Sequence, residues 1–146
     1  MVVKSQSQSR SSFGSLAAAG AIAAIIAAVA DVVVYSIARA SGVSMVMPYQ
    51  WGQPPAVLPI SIIVSTVVVA AVLATITFGL LVKFTLRGMR AFQIVSVPAL
   101  LVSFAGPLSL AQTAGSTKAA LVAMHIVAAA GMVAALSLLG RPVQNG

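Results

Sequence analysis

Residues 119–139 read AALVAMHIVAAAGMVAALSLL, an apolar run in which His125 is the only titratable side chain. A helix that crosses the roughly 30 Å hydrocarbon core of a bilayer needs about 20 residues at 1.5 Å each. Three further stretches have this length and character, namely 14–38, 57–82 and 91–112. Because a lone strand in lipid leaves its backbone groups unpaired, each stretch is predicted to be a helix. The sequence predicts an all-α membrane protein, a four-transmembrane-helix antiparallel bundle.

The composition supports this fold class. Of the 146 residues, 60% are hydrophobic and 6% are charged, whereas about a quarter of a soluble domain is charged. The bundle is predicted to occupy residues 13–140, which leaves no room for a second domain. Residues 1–12 are predicted to be a disordered cytoplasmic tail because they are polar and rich in Ser and Gln. Residues 141–146 are predicted to be a short cytoplasmic tail.

The basic residues predict the orientation of the bundle. Six of the eight Lys and Arg residues fall on one side of a four-span chain, and the positive-inside rule places that side in the cytoplasm. Both termini are then cytoplasmic, and the predicted location is the bacterial cytoplasmic (inner) membrane, as a multi-pass protein. Lys83, Arg87 and Arg90 are predicted to contact anionic lipid headgroups. Since the cations form short juxtamembrane clusters, the net charge of +7 does not indicate a nucleic-acid partner.

The connection between the first two spans, residues 41–56, is predicted to lie on the outer interface or to fold over the mouth of the bundle. It has no charge and contains Pro48, Pro54 and Pro55. Tyr49 and Trp51 are predicted to be outer interfacial anchors, the usual role of such rings. A ligand lid or a partner-docking surface is the alternative.

Two other features predict how the helices pack. The Gly20-x-x-x-Ala24-x-x-x-Ala28 ridge favours close helix packing within the bundle, with a homo-oligomer as the alternative. Pro98 and Pro107 each remove a backbone donor, so the third span is predicted to be bent or locally opened in both halves.

Asp31 and His125 are the only titratable groups near the middle of the spans, and counting residues places both about 10 Å below the outer face. Tyr35 lies one turn from Asp31 on the same helix face, and Ser103 falls near the same level. These four residues form the candidate intramembrane polar site. An interhelical hydrogen bond that fixes helix register would explain Asp31 and His125 structurally. A protonatable relay, or a ligand site open to the outer face, would explain them functionally.

Catalysis is not expected. The chain has no Cys, no Glu and one Asp, so it contains neither a carboxylate pair nor a cage of ligands for a divalent metal. Gly-x-Ser-x-Gly elbows and Gly-rich phosphate loops are also absent. No cofactor or metal is predicted. His125 is the one side chain that could ligate a haem or a chlorophyll-type pigment through its imidazole.

Two runs in the second half of the sequence resemble a known family. They are Ser103-Phe104-Ala105-Gly106-Pro107 and Met124-His125-Ile126-Val127-Ala128. The chain is similar to uncharacterised four-helix bacterial membrane proteins, frequent in actinobacteria and grouped as a domain of unknown function. The resemblance implies four spans and draws attention to Ser103, Pro107 and His125, but it implies no activity.

Together these features predict a small non-catalytic membrane protein that is an accessory or scaffold subunit of a larger membrane complex. The alternative is a small transporter or proton-coupled module with an outer-facing polar cavity around Asp31 and His125.

Overall fold

The computed structural model describes residues 4–48 and 54–140, with side chains from residue 13 onward. Its elements are α1 Lys4–Ala40, β1 Val46–Met47, β2 Ala56–Val57, α2 Ile60–Phe84, α3 Gly88–Ser103, α4 Ala105–Ser109 and α5 Gly115–Leu139. Residues 1–3 and 141–146 lie outside the described residues. The disorder predicted for 1–12 and the cytoplasmic tail predicted for 141–146 stay predictions.

Four helical segments are long and apolar enough to cross a membrane: Phe13–Ala40, Ile60–Phe84, Gly88–Ser109 and Gly115–Leu139. They correspond to the four predicted spans, with ends that differ by at most four residues. The second span begins at Ile60 and not at Val57, because Ala56 and Val57 form β2 and Pro59 caps the helix. The orientation of the termini stays a prediction. We therefore call the end with residues 41–59 the loop end, and the end with residues 85–87 the turn end.

α1 packs along α5 and against α2, while α3 contacts α2 and α5. The buried side of α1 repeats every three or four residues, the period of one helix face. It consists of Ala19, Ala23, Ala27, Asp31, Tyr35 and Ala38. α5 presents a matching face made of Thr117, Leu121, Met124, Ala128, Met132 and Ala135. At the turn end the core is closed by Phe78 and Phe92, whose rings meet edge to face with centroids 5.1 Å apart.

Small residues let α1 approach its neighbours closely. A Cβ added to Gly20 would lie 2.8 Å from Thr75 Cγ2 on α2, and one added to Gly131 on α5 would lie 3.2 Å from Ile26 Cγ2. Ala24 and Ala28, the other members of the predicted ridge, are partly buried against the core between α1, α2 and α5. The ridge therefore packs within the bundle, while homo-oligomerisation stays a prediction.

The described part of the first connection folds over the loop end. α1 stops in a Schellman motif, in which Val43 N–H donates to Ala38 O at 3.0 Å and Gly42 adopts a φ of +85°. Beyond it, β1 and β2 pair antiparallel, and Met45 is fully buried in a cluster that also contains Leu58. This agrees with the prediction that the connection covers the mouth of the bundle. Tyr49 and Trp51 lie outside the described residues.

The third span is interrupted once. α3 continues through Pro98 and ends at Ser103, and α4 starts at Ala105 with Pro107 as its third residue. A proline ring clashes with the carbonyl four residues earlier, here that of Ser103, which explains an end at that residue. The predicted opening near Pro107 is confirmed, whereas the helix is not interrupted at Pro98. Proline lacks only one helical hydrogen bond, and transmembrane helices often tolerate it.

Candidate functional site

Asp31 lies in the interior of the bundle. It belongs to the buried face of α1, between Ala27 and Tyr35, and is 6% exposed. Its Oδ1 atom is buried and has no hydrogen-bond partner. Ala27 and Tyr35, which flank Asp31 on this face, belong to apolar clusters shared with α2 and α5. A carboxylate in this position is costly unless it is protonated or paired.

His125 is partly buried on α5 and is bonded within its own helix. Its Nδ1 lies 2.8 Å from the carbonyl oxygen of Leu121, one turn earlier. A carbonyl only accepts, so in this geometry Nδ1 carries the proton. In the neutral ring Nε2 is then the acceptor, and it is the ring nitrogen available to a ligand.

The helix register places Asp31 and His125 at the same level of the bundle. Gly131 lies opposite Ala27, and Tyr35 shares a buried cluster with Met124, so α1 and α5 run antiparallel. Asp31 is one turn from Ala27 towards the loop end, and His125 is six residues from Gly131 in the same direction. The levels of the two residues therefore differ by about 3 Å at 1.5 Å per residue.

The structure does not pair these two residues. No ring nitrogen of His125 lies within 4.0 Å of a carboxylate oxygen of Asp31. The expected interhelical hydrogen bond is therefore not present. The two residues do lie at the matching depth that such a bond would require. Sequence counting gives the depth of a helical residue, but rotation and side-chain rotamer decide whether two groups at one depth make contact.

The other two members of the predicted site also have local partners. The Tyr35 hydroxyl donates to the Leu58 carbonyl at 2.9 Å, and the Ser103 hydroxyl donates to the Leu100 carbonyl at 2.6 Å. Tyr35 thus fastens the connection that covers the loop end. The four residues share one half of the bundle but form no hydrogen-bonded network. Their role as a functional site stays a prediction.

Thr117 is a buried polar residue that the sequence analysis did not single out. It is fully buried at the start of α5, and its hydroxyl lies 3.5 Å from that of Ser44 in the loop-end connection. Nothing in the local pattern distinguishes it from the exposed Ser116 beside it. It tightens the loop end and adds no ionisable group to the site.

The two ends of the bundle differ in how their cations are used. At the loop end Arg39 donates to the Ser44 carbonyl at 2.7 Å, and Lys118 donates to the Leu108 carbonyl at 3.1 Å. At the turn end Lys83, Arg87 and Arg90 are exposed, and Lys83 Nζ lies 5.3 Å from the centroid of the Phe84 ring. The only acidic side chain of the chain is that of Asp31. The turn-end cations are therefore available to anions outside the chain.

The chemistry open to the described residues is narrow. Residues 13–48 and 54–140 hold no group of three His, Cys, Asp or Glu side chains that could bind a metal ion. The hydroxyl of Ser103, the imidazole of His125 and the carboxyl of Asp31 are not linked in series as a catalytic triad requires. A single unpaired carboxyl group can take up and release a proton.

A comparison with protein families identifies the group to which the sequence belongs. Residues 11–141 match the profile of a family of unknown function, DUF6069. The chain belongs to this family. No curated protein and no solved structure matches the chain. The match confirms the resemblance to a domain of unknown function and covers all four apolar helices, while a bacterial origin stays a prediction.

Proposed function

We propose that this DUF6069 protein is a non-catalytic accessory subunit of a larger membrane complex, and that its third span contacts the partner. One observation carries the proposal. Within Gly88–Ser109 the only buried residues are Gly88, Phe92 and Pro107, so every residue between Phe92 and Pro107 is half-buried or exposed. Its outward face is formed by Ile94, Val97 and Leu101, which recur at the spacing of one helix face.

α2 is buried more evenly along its length than the third span. α2 also touches lipid, yet it buries Ile63, Val67, Ala71 and Phe78 along its whole length. Helices associate in membranes mainly through van der Waals packing and interhelical hydrogen bonds, since lipid supplies no hydrophobic driving force. Between Phe92 and Pro107, α3 buries no residue and makes one interhelical hydrogen bond, from Gln93 Nε2 to the Ser137 hydroxyl at 3.5 Å. A partner helix against this stretch would supply the packing that the bundle does not.

The filled ends of the bundle favour a subunit over a transporter. The loop end is occupied by Met45 and Leu58, and the turn end by Phe78, Phe92 and Leu136. Two grooves on the described surface lie between α1 and α2 and are apolar. Neither is lined by Asp31 or His125.

Cysteine crosslinking can test the proposal, because the chain contains no Cys. Val97→Cys and Leu101→Cys place a thiol on the outward face of α3. Leu73→Cys and Val69→Cys on α2 are matched controls, since all four positions are 59% or 60% exposed. The contact of Phe78 with Phe92 also sets these pairs at similar depth.

After membrane-permeant crosslinking in native cells, the α3 variants are expected to yield a discrete heavier species that mass spectrometry resolves into this chain plus a different membrane protein. The α2 variants are expected to remain unlinked. Equal crosslinking from both helices would indicate random collision, and no adduct from either α3 variant would refute a partner at this face.

The unpaired Asp31 carboxyl group favours a second candidate, a proton-coupled module. This candidate predicts proton flux in vesicles that contain the purified chain, with loss of flux in Asp31→Asn and in His125→Ala. Flux that survives both substitutions would exclude it. A chain that carries no flux at all would leave the accessory role as the better account.

A further inference from the structure

A groove runs between α1 and α2 on the lipid-facing side of the bundle. Its volume is about 490 Å³, which lies within the usual range for a small-molecule site. The residues that line it include Ala17, Ala21 and Ala24 from α1 and Val68, Val72 and Ile76 from α2. The one polar side chain in it, Thr75, donates its hydroxyl to the Ala71 carbonyl at 2.7 Å. The groove therefore suits a hydrocarbon chain.

A cation lies on the same face of α2 beyond the groove, towards the turn end. Lys83 follows Ile76 by seven residues and Val72 by eleven, and at 3.6 residues per turn both separations return to within about 20° of the same helix face. Lys83 is exposed and has no acidic side chain near it, because Asp31 in the interior is the only one in the chain. An uncompensated positive charge thus lies about two turns beyond Ile76, the last residue of α2 that lines the groove.

The distance along α2 from Val68 to Lys83 matches the thickness of one leaflet of a bilayer. Lys83 lies fifteen residues from Val68, a separation of about 22 Å along the helix. Half of a bilayer, including its headgroup region, measures about 20–22 Å. A lipid whose phosphate meets Lys83 can therefore lay one acyl chain along the groove as far as Val68.

We propose that the α1/α2 groove binds one anionic phospholipid, with an acyl chain between the helices and the phosphate on Lys83. The charge beyond the groove selects an anionic over a zwitterionic headgroup. The alanines of α1 leave the room for the chain. This inference does not depend on the proposed contact of α3 with a partner.

Native mass spectrometry of the full chain, released from mild detergent, tests the site. The probes are phosphatidylglycerol and phosphatidylcholine with identical acyl chains. The wild-type chain is expected to retain one phosphatidylglycerol in preference to phosphatidylcholine. Lys83→Gln is expected to lower phosphatidylglycerol retention about fivefold, the change that corresponds to about 1 kcal/mol per cation near the surface. Arg90→Gln, at the turn end but on α3, should leave it within twofold.

Ala21→Leu tests the groove itself by filling it, and Ala18→Leu, on the exposed side of α1 and outside the groove, is its control. Ala21→Leu is expected to lower retention at least fivefold while Ala18→Leu does not. If Ala21→Leu does not fold, as judged by its melting temperature, Ile76→Phe at the exposed rim blocks the same space.

Three results of these lipid-retention measurements would overturn the proposal. They are equal retention of the two lipids, equal effects of Lys83→Gln and Arg90→Gln, and retention that survives a filled groove. Glycerol 3-phosphate in excess is expected not to displace the lipid. Displacement would show a headgroup site without a chain site and would also overturn the proposal.

Discussion

Replacing Gly20 with Ala is expected to destabilise the bundle, because Gly20 marks the closest approach of α1 to α2. Its added Cβ would lie 2.8 Å from Thr75 Cγ2 and 3.1 Å from Thr75 Cβ, and still closer to the hydroxyl oxygen. Real Cβ atoms do not tolerate the shortest of these contacts, so the helices or the Thr75 side chain must move. The Thr75 hydroxyl is bonded to Ala71 O, which opposes a rotamer change.

The size of the effect follows from two opposing contributions. Overpacking a close interface typically costs about 1–3 kcal/mol. Replacing Gly by Ala within a helix returns about 0.5–1 kcal/mol. The difference between these ranges is about 0–2.5 kcal/mol, and contacts as short as those at Gly20 place the net loss for Gly20→Ala in the upper half of it, at about 1–2.5 kcal/mol. Gly14, on the same helix, has nothing within 4 Å of an added Cβ, so Gly14→Ala is expected to be neutral or slightly stabilising.

Equilibrium unfolding in mixed micelles would measure these differences in a double-mutant cycle. Thr75→Ala removes the two nearest atoms, so Gly20→Ala combined with Thr75→Ala should recover about 1 kcal/mol relative to the sum of the single changes. If Gly20→Ala is as stable as Gly14→Ala, or if Thr75→Ala gives no recovery, the close contact of α1 with α2 would be refuted.

Three further predictions concern the loop end, the turn end and the interior. Tyr35→Phe should lower stability by about 0.5–1.5 kcal/mol through loss of its bond to Leu58 O. Ser36→Ala, whose hydroxyl bonds only to Val32 O in its own helix, should cost less, and equal losses would contradict this role for Tyr35. Gly88→Ala should lower the melting temperature, because the added Cβ would lie 2.6 Å from Leu81 O. Gly106→Ala is the control, since its Cβ meets nothing within 4 Å, and similar melting temperatures of the two variants would contradict the tight turn at Gly88. Asp31→Val should raise the melting temperature, because it removes a buried oxygen without a hydrogen-bond partner, which costs about 1–3 kcal/mol. A lower melting temperature than that of the wild-type chain would show that the carboxyl group has a partner.

The helices were predictable because a long apolar run has few alternatives to a helix if it lies in lipid. A run such as residues 119–139 has to be helical to satisfy its backbone, and length alone sets its approximate ends. Finer features depend on local geometry. The pairing of β1 with β2 needs only two residues from each strand, too few to leave a pattern. Pro98 and Pro107 look alike in sequence, yet only the second lies beside a helix break.

The depth of the candidate site residues in the bundle was predictable from the sequence, but their hydrogen-bond partners were not. Residue counts placed Asp31 and His125 at one level, and the antiparallel register of α1 and α5 agrees. The hydrogen bonds of His125 to Leu121 O and of Tyr35 to Leu58 O depend on rotamers and on the path of the connection. The α1/α2 groove also escaped prediction, since it arises from the spacing between two helices and not from either one.

The covered loop end has a consequence for the order in which the protein is built. Met45 packs in one cluster with Leu121, and Ser44 meets Thr117, so the connection rests on the final helix. Synthesis proceeds from the N-terminus, so residues 41–59 leave the ribosome long before residues 115–139. The described part of the connection therefore reaches its final position only after the fourth helix has formed. Nascent chains that stop before Gly115 should expose it to proteases, and completion of that helix should protect it.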